Sequence, residues 1–344
     1  MKKPFGRLTG RIALAGIVSM TVLCGTAVFA AESVAESVAE PAADGAYKIA
    51  YVAAERDEFM SLLENAVIET AEEYGVDLTV LFSEDNSQKQ FENIKEAAAG
   101  DYDALIVSTV MAEDVPDCIA AAAGKNLVFL NRIPEYGDLL TGNIAAVAAD
   151  ESKSGAYQGE FLAKHFLEQG IQEVNYVLLR GTEGMAHTNQ RSNGALKRAT
   201  EEGLMMIPAT GMLQGDYDRA TAKEEISKIL GSVDFDCIIA NNDAMAIGAI
   251  EAMEEAGIDP KEYTIVGIDA TDDAVEQLRE GNLAMTVFQN AYGEAEASIQ
   301  AAINLIEGKE PGTDTKYEIA ENNPAIIYVP FVPVTLDNVD TFKE

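Results

Sequence analysis

Residues 236–290 constrain the fold more than any other stretch: DCIIANNDAMAIGAIEAMEEAGIDPKEYTIVGIDATDDAVEQLREGNLAMTVFQN. Three short apolar runs, 237–240, 263–268 and 283–288, are rich in Ile, Val or aromatic residues and too short for helices. Between them lie helical patterns over 244–255 and 272–280, each ending just before a glycine, Gly257 and Gly281. Strand–helix–strand–helix–strand is the pattern of parallel βαβ units. Apolar residues fill both faces of the strands, as they do when helices cover both sides of a parallel sheet. The fold class expected is therefore α/β.

Polar residues gather where these strands end: Asn241, Asn242 and Asp243, then Asp269, then Gln289 and Asn290. In open parallel sheets the carboxyl ends of the strands form the crevice that holds ligands. All are hydrogen-bonding groups and none is an obvious nucleophile. Asp243 and Thr271 read as helix N-caps. Capping does not account for Asp269 or Gln289, so a polar binding cleft is expected at this edge.

The residues carry a resemblance. ANNDAMAIGAIEAM, VGIDATDDAVEQLREGNLAMTVFQN and RDEFMSLLENAV (56–67) resemble the type I periplasmic sugar-binding proteins, nearest their galactose/glucose branch with ribose-branch features. The resemblance runs over residues 47–342. It implies two similar lobes, each a parallel sheet flanked by helices, joined by a three-segment hinge. The crossings are expected near 149–151, 288–291 and 329–332. The first lobe is then 47–150 plus 290–328, and the second 151–289 plus 329–344. Two consecutive βα series of similar length along the chain fit two such lobes. A late apolar run, 325–334, reads as a strand at an edge or a crossover, because it contains Pro330 and Pro333.

A sugar presents hydroxyls at its edge and C–H patches on its faces, so its site needs planar polar side chains and aromatics. The resemblance implies ligand-binding roles for Asp57, Phe59, Asn131, Arg132, His187, Arg191, Tyr217, Asn242, Asp269 and Gln289. Phe59 and Tyr217 would cover the ring faces, the latter in a chain with no tryptophan. There are departures within the loop GTEGMAHTNQR (181–191): Met185 stands where the galactose branch has histidine, and His187 where it has aspartate. Arg132 and Gln289 follow the ribose pattern. The segment EQGIQEV (168–174) lacks the alternating oxygen ligands of the branch's calcium loop, so no metal is expected there.

The remainder sets the context. Residues 1–30 combine a basic start, an apolar stretch and Val28-Phe29-Ala30, the pattern of a secretory signal. Cleavage is the favoured fate over lipidation at Cys24, where Leu23 fits poorly, or retention as an anchor. An acidic low-complexity linker, 31–46, follows and is expected to be disordered. With 24 basic and 58 acidic residues the formal charge is −34, which disfavours nucleic acid and anionic lipid. Cys118 and Cys237 fall in different predicted lobes and read as buried free thiols. Against an enzyme stand the absence of a G-x-G-x-x-G after the first strand, the absence of a P-loop, and a total of two histidines. The expectation is an exported, monomeric binding protein without cofactor. It takes a monosaccharide and serves an ABC importer or, alternatively, a membrane sensor.

Overall fold

The structure is a computed structural model that describes residues 46–132 and 137–342. The leader, Cys24 and the linker lie outside the described residues. Five strands open the first lobe: β1 (Lys48–Ala53), β2 (Asp77–Phe82), β3 (Ala104–Val107), β4 (Asn126–Leu130) and β5 (Ile144–Ala148). Between them come α1 (Glu58–Glu73), α2 (Ser87–Ala99) and α3 (Val115–Ala121). In β1, Ile49, Tyr51 and Ala53 point to one face, and Ala50 and Val52 to the other; all are buried. The first set packs with α1, the second with α2 and α3. This two-sided burial is why the strand reads as a continuous apolar run.

The second lobe begins with α4 (Glu151–Glu168) and β6 (Glu173–Arg180). It continues through α5 (Ala186–Glu201), β7 (Met205–Pro208), β8 (Leu213–Gln214), α6 (Arg219–Ile229) and β9 (Cys237–Ala240). The stretch 236–290 then supplies α7 (Asp243–Glu255), β10 (Thr264–Val266), α8 (Asp272–Glu280) and β11 (Thr286–Phe288). Last come α9 (Ala291–Ile306), β12 (Glu318–Ile319), β13 (Ile326–Tyr328) and β14 (Val332–Val334). The first sheet has the order β12-β13-β5-β4-β3-β1-β2, all parallel except for the β12 edge. The second has the order β10-β9-β6-β7, with β8 also paired to β6, all parallel.

The chain leaves the first sheet for the second lobe after Ala148, returns before α9, and leaves again between Tyr328 and Val332, where β14 joins β11 in a separate two-stranded sheet. Two details differ from the reading of the sequence. The run 325–334 is two strands, not one: β13 pairs parallel with β5, whereas β14 pairs antiparallel with β11. Pro330, without an N–H, lies in the break between them. The third strand of the opening stretch is also shorter, because Met285 joins β10 only through an isolated parallel bridge to Val266. Its regular ladder is the one with β14. Cys118 and Cys237 are buried and unpaired in separate cores.

Helices α4 and α5 lie in close contact. A Cβ on Gly155 would sit 2.1 Å from the Arg191 carbonyl oxygen, and one on Gly159 2.2 Å from that of Ala195. Side chains larger than hydrogen would push α5 away and carry Arg191 with it.

Candidate functional site

In both sheets the chain leaves the central strand in one direction and then returns to its other side, β1 and β3 in the first, β6 and β9 in the second. Loops after such switch points diverge and leave a crevice. Asp57 follows β1; Asn131 and Arg132 follow β4; Glu151 opens α4 after β5. From the second lobe, Arg191 lies one turn into α5, Asn242 follows β9, Asp269 follows β10 and Gln289 follows β11. These residues, with Phe59, Met60, His187 and Tyr217, line a single cleft. All ten side chains singled out in the sequence are thus brought together. A wider depression, lined in part by Asp150, Met185 and Tyr328, adjoins it across Asn131, Arg132, Glu151 and His187.

Arg191 organises the second-lobe wall. Its Nε and Nη2 donate to the two oxygens of Glu151, each at 2.7 Å. Nη1 donates to the Asn241 carbonyl and Nη2 also to Gln289 Oε1, both at 2.8 Å. Asp269 Oδ1 stands 3.8 Å from Nη1. Burial works against the guanidinium charge, and the Glu151 carboxylate more than offsets it. Asp269 is pushed well above the usual carboxylate range by burial, with Arg191 opposing and Asp243, Asp57 and Glu151 adding to the rise. Its φ of 124° is a strained geometry for a non-glycine residue, and Asn131 (72°) and Tyr217 (61°) also sit at positive φ. Strain of this kind persists only where the surroundings enforce it, and it concentrates at functional sites.

Tyr217 lies flat over Gly181, where an added Cβ would meet the ring at 2.0 Å. Its hydroxyl is 2.8 Å from Thr188 Oγ1, and His187 stacks on its ring at 5.2 Å. His187 is half-buried in the first turn of α5. Burial, then Arg132 and Arg191, hold its pKa well below the ordinary histidine value, so the ring is neutral. Met185 is buried beside it.

Three residues carry a helix or a neighbour as well as lining the cleft. Asp57 caps α1, its Oδ1 accepting from Met60 N at 2.7 Å; burial raises its pKa, while that bond and the two arginines oppose the rise. The N-cap of α7 is Asn242, not Asp243 as the sequence suggested: Asn242 Oδ1 accepts from Met245 N at 3.0 Å. Asp243 is instead the first helical residue, fully buried, and accepts from Thr286 Oγ1 at 2.7 Å and Thr271 N at 3.1 Å. It ties α7 to β11 and α8, a long-range role that local capping statistics do not contain. Thr271 does cap α8. Arg132 pairs with Glu55 and donates to the carbonyls of Thr109 and Val110, so its guanidinium is largely spent on the first lobe.

A periplasmic binding protein domain matches residues 49–310. The chain belongs to that family. Its relatives include a putative rhizopine-binding protein of Rhizobium meliloti, 33% identical over 86% of this chain and 91% of the relative. The D-galactose/methyl-galactoside binding periplasmic protein of Haemophilus influenzae is 29% identical over 83% and 88%. Among solved structures, an ABC transporter solute binding protein of Bacillus halodurans C-125 with bound myo-inositol superposes with a TM-score of 0.71. That pair is 27% identical, covering 86% of this chain and 96% of that one.

Four further residues of this periplasmic binding protein, Glu151, Met60, Glu55 and Glu294, line or support the cleft and are not among those that stand out in the sequence at the strand ends. Glu294 had a visible signal. In α9, positions 294, 297, 298, 301, 302 and 305 form one helical stripe, and all are buried. Five of the six are Ala, Ser or Leu, so an acid on that stripe faces inward. Glu151 had none beyond its place at a crossing, because its partner Arg191 is 40 residues away.

Proposed function

We propose that the protein is an exported, monomeric solute-binding component of an ABC importer, capturing a monosaccharide between its lobes. The observation that carries this reading is the convergence of two aromatics and a ring of amides, carboxylates and an arginine on one cleft. The polar lining suits hydroxyls, and Phe59 and Tyr217 suit the C–H faces of a ring. The lobes 47–150 plus 290–328 and 151–289 plus 329–344 act as the two closing bodies, with the three crossings as hinges. Contacts made to both lobes at once favour the closed state. Affinity is expected in the micromolar range, about −8 kcal/mol.

The ligand is a neutral aldose, hexoses ahead of ribose. An aromatic at Tyr217 supports a hexose; Arg132 and Gln289 support a pentose. In this structure Arg132 is committed to Glu55, which weakens the pentose side. The relatives named for galactose and rhizopine, and the solved neighbour holding myo-inositol, put cyclic polyols on the same panel. The test is thermal shift with D-galactose, D-glucose, D-ribose and myo-inositol, since a ligand that binds only the folded state raises its stability. One clear winner is expected, because a site built to pair a hydroxyl rejects ligands that lack it. No shift from any of them, with a shift from an amino acid or nucleoside, overturns the reading.

A further inference from the structure

Beneath the cleft lies a carboxylate that does not line it. Glu294 is wholly buried on the inward stripe of α9. Each of its oxygens accepts one amide: Oε1 takes Gln289 Nε2 and Oε2 takes Asn131 Nδ2, both at 3.0 Å. Both amides line the cleft, one from the first lobe and one at a crossing between the lobes. The oxygen end of the Gln289 amide is engaged as well, accepting from Arg191 Nη2 at 2.8 Å.

An ionised carboxylate only accepts hydrogen bonds; a protonated one must also donate. A proton on Glu294 therefore requires one of the two amides to turn its oxygen inward. Gln289 is held against turning, because its NH₂ would then face the Arg191 donor. Asn131 has no comparable restraint at its oxygen among the described residues. The proton consequently belongs on Oε2, and Asn131 turns over to receive it.

We propose that Glu294 is a positioning residue for the cleft: its carboxylate fixes which edge of the Asn131 amide meets the ligand, and one proton exchanges acceptor for donor there. The proposal rests on the reading that the cleft binds a polyol, whose hydroxyls sense such an exchange. Burial pushes the Glu294 carboxyl up to about 7, so the exchange falls near neutral pH. The Gln289 and Asn131 bonds and the Arg191 charge act downward on it, and the Glu151 carboxylate acts upward. The elements packed on α9, namely α1, β3, β4 and β5, contribute apolar side chains to the shared core. Tyr51 of β1, in the same core, is a neutral phenol bonded to Ser108, and Asp57 stands at the head of α1 in the cleft.

The first arm of the test needs no ligand. In the full-length ligand-free protein the Asn131 side-chain amide cross-peak is identified by its loss in Asn131→Asp. It is expected to titrate with a midpoint near neutrality in wild type and to stay still in Glu294→Gln, which holds one donor and one acceptor at every pH. A wild-type cross-peak that does not move, or moves equally in the variant, overturns the proposal; the wild-type titration decides alone if the variant fails to fold. The second arm measures affinity for D-galactose, D-ribose and myo-inositol by calorimetry at about pH 5.5 and about pH 8.5, either side of the midpoint. A probe that binds is expected to bind about tenfold tighter at the higher pH in wild type, one hydrogen bond's worth, because above the midpoint Asn131 offers its oxygen as an acceptor to a ligand hydroxyl and below it the NH₂ edge takes that place. The variant should show no such dependence, and a wild-type affinity equal at the two pH values counts against the proposal. Failure of all three probes at both pH values refutes the sugar reading instead, and leaves the amide titration to decide the role of Glu294.

Discussion

The two walls of the cleft are built differently. On the second-lobe wall Arg191, Asn242, Asp269 and Gln289 are all buried, and Arg191 is bonded to Glu151, Asn241 and Gln289 at once. On the first-lobe wall Asp57, Asn131 and Arg132 are half-buried and do not hold one another: Asp57 caps α1, Arg132 pairs with Glu55 and two carbonyls, and Asn131 alone is tied to the other wall, through Glu294 to Gln289. A wall whose polar groups hold one another is set before any ligand arrives. A wall of separately anchored groups can adjust one group at a time. The difference assigns pre-organisation to the second lobe and adaptation to the first.

The largest break in this comparison should come from Arg191→Ala. It strands Glu151 in a mostly buried position, and removing one partner of a buried pair costs about 3–5 kcal/mol. Arg132→Ala, on the other wall, should cost less, because Glu55 is more exposed than Glu151. Urea unfolding of the two variants checks this; equal losses would erase the distinction between the walls.

The pH dependence of stability sharpens the comparison next. Asp243, Asp269 and Glu294 all have folded-state pKa values raised by burial, Asp243 and Glu294 to about 7. Between the ordinary carboxylate range and about 7 the folded state holds more protons than the unfolded one, so stability falls as pH rises through this window. Each group contributes on the order of 1 kcal/mol per pH unit. Urea midpoints should rise on acidification from neutrality towards about pH 5, and Asp243→Asn should flatten that slope. An unchanged slope in the variant would sink the assignment.

Asp269→Asn should weaken binding of whichever panel sugar wins by about 1–3 kcal/mol, since one of the two carboxyl oxygens beside Arg191 is replaced by an amide NH₂ that can only donate. The fold should survive, because a desolvated carboxylate is removed. Calorimetry checks the first point and melting the second. Gly181→Ala should cost about 1–3 kcal/mol through overpacking against the Tyr217 ring, with a matching drop in affinity. An unaffected Tm would mean that the ring moves freely. The smallest expected effect is that of EDTA, which should leave the Tm unchanged; a large drop restored by calcium would show the 168–174 segment to be misread.

Much of this was legible in the residues. Strand ends, glycine stops and polar clusters placed Asn242, Asp269 and Gln289 at one crevice, because periodicity and turn chemistry are local properties. The cap of α7 was misassigned by one position, Asp243 for Asn242, because both residues suit a cap and only the distant Thr286 and Thr271 claim the aspartate. The run 325–334 looks like one strand in sequence because a hinge crossing has no local signature beyond its prolines.

By itself, then, the sequence determined the α/β class, the order of its strands and helices, the acidic surface and the set of side chains at the strand ends. Each follows from composition or from spacing within about one element. Tertiary structure alone decided which carboxylates are buried, that Arg191 meets Glu151 and Gln289, and that Glu294 holds two cleft amides from below. The physical reason is separation along the chain: Asn131 and Glu294 are 163 residues apart, and only the return of α9 to the first sheet makes them neighbours.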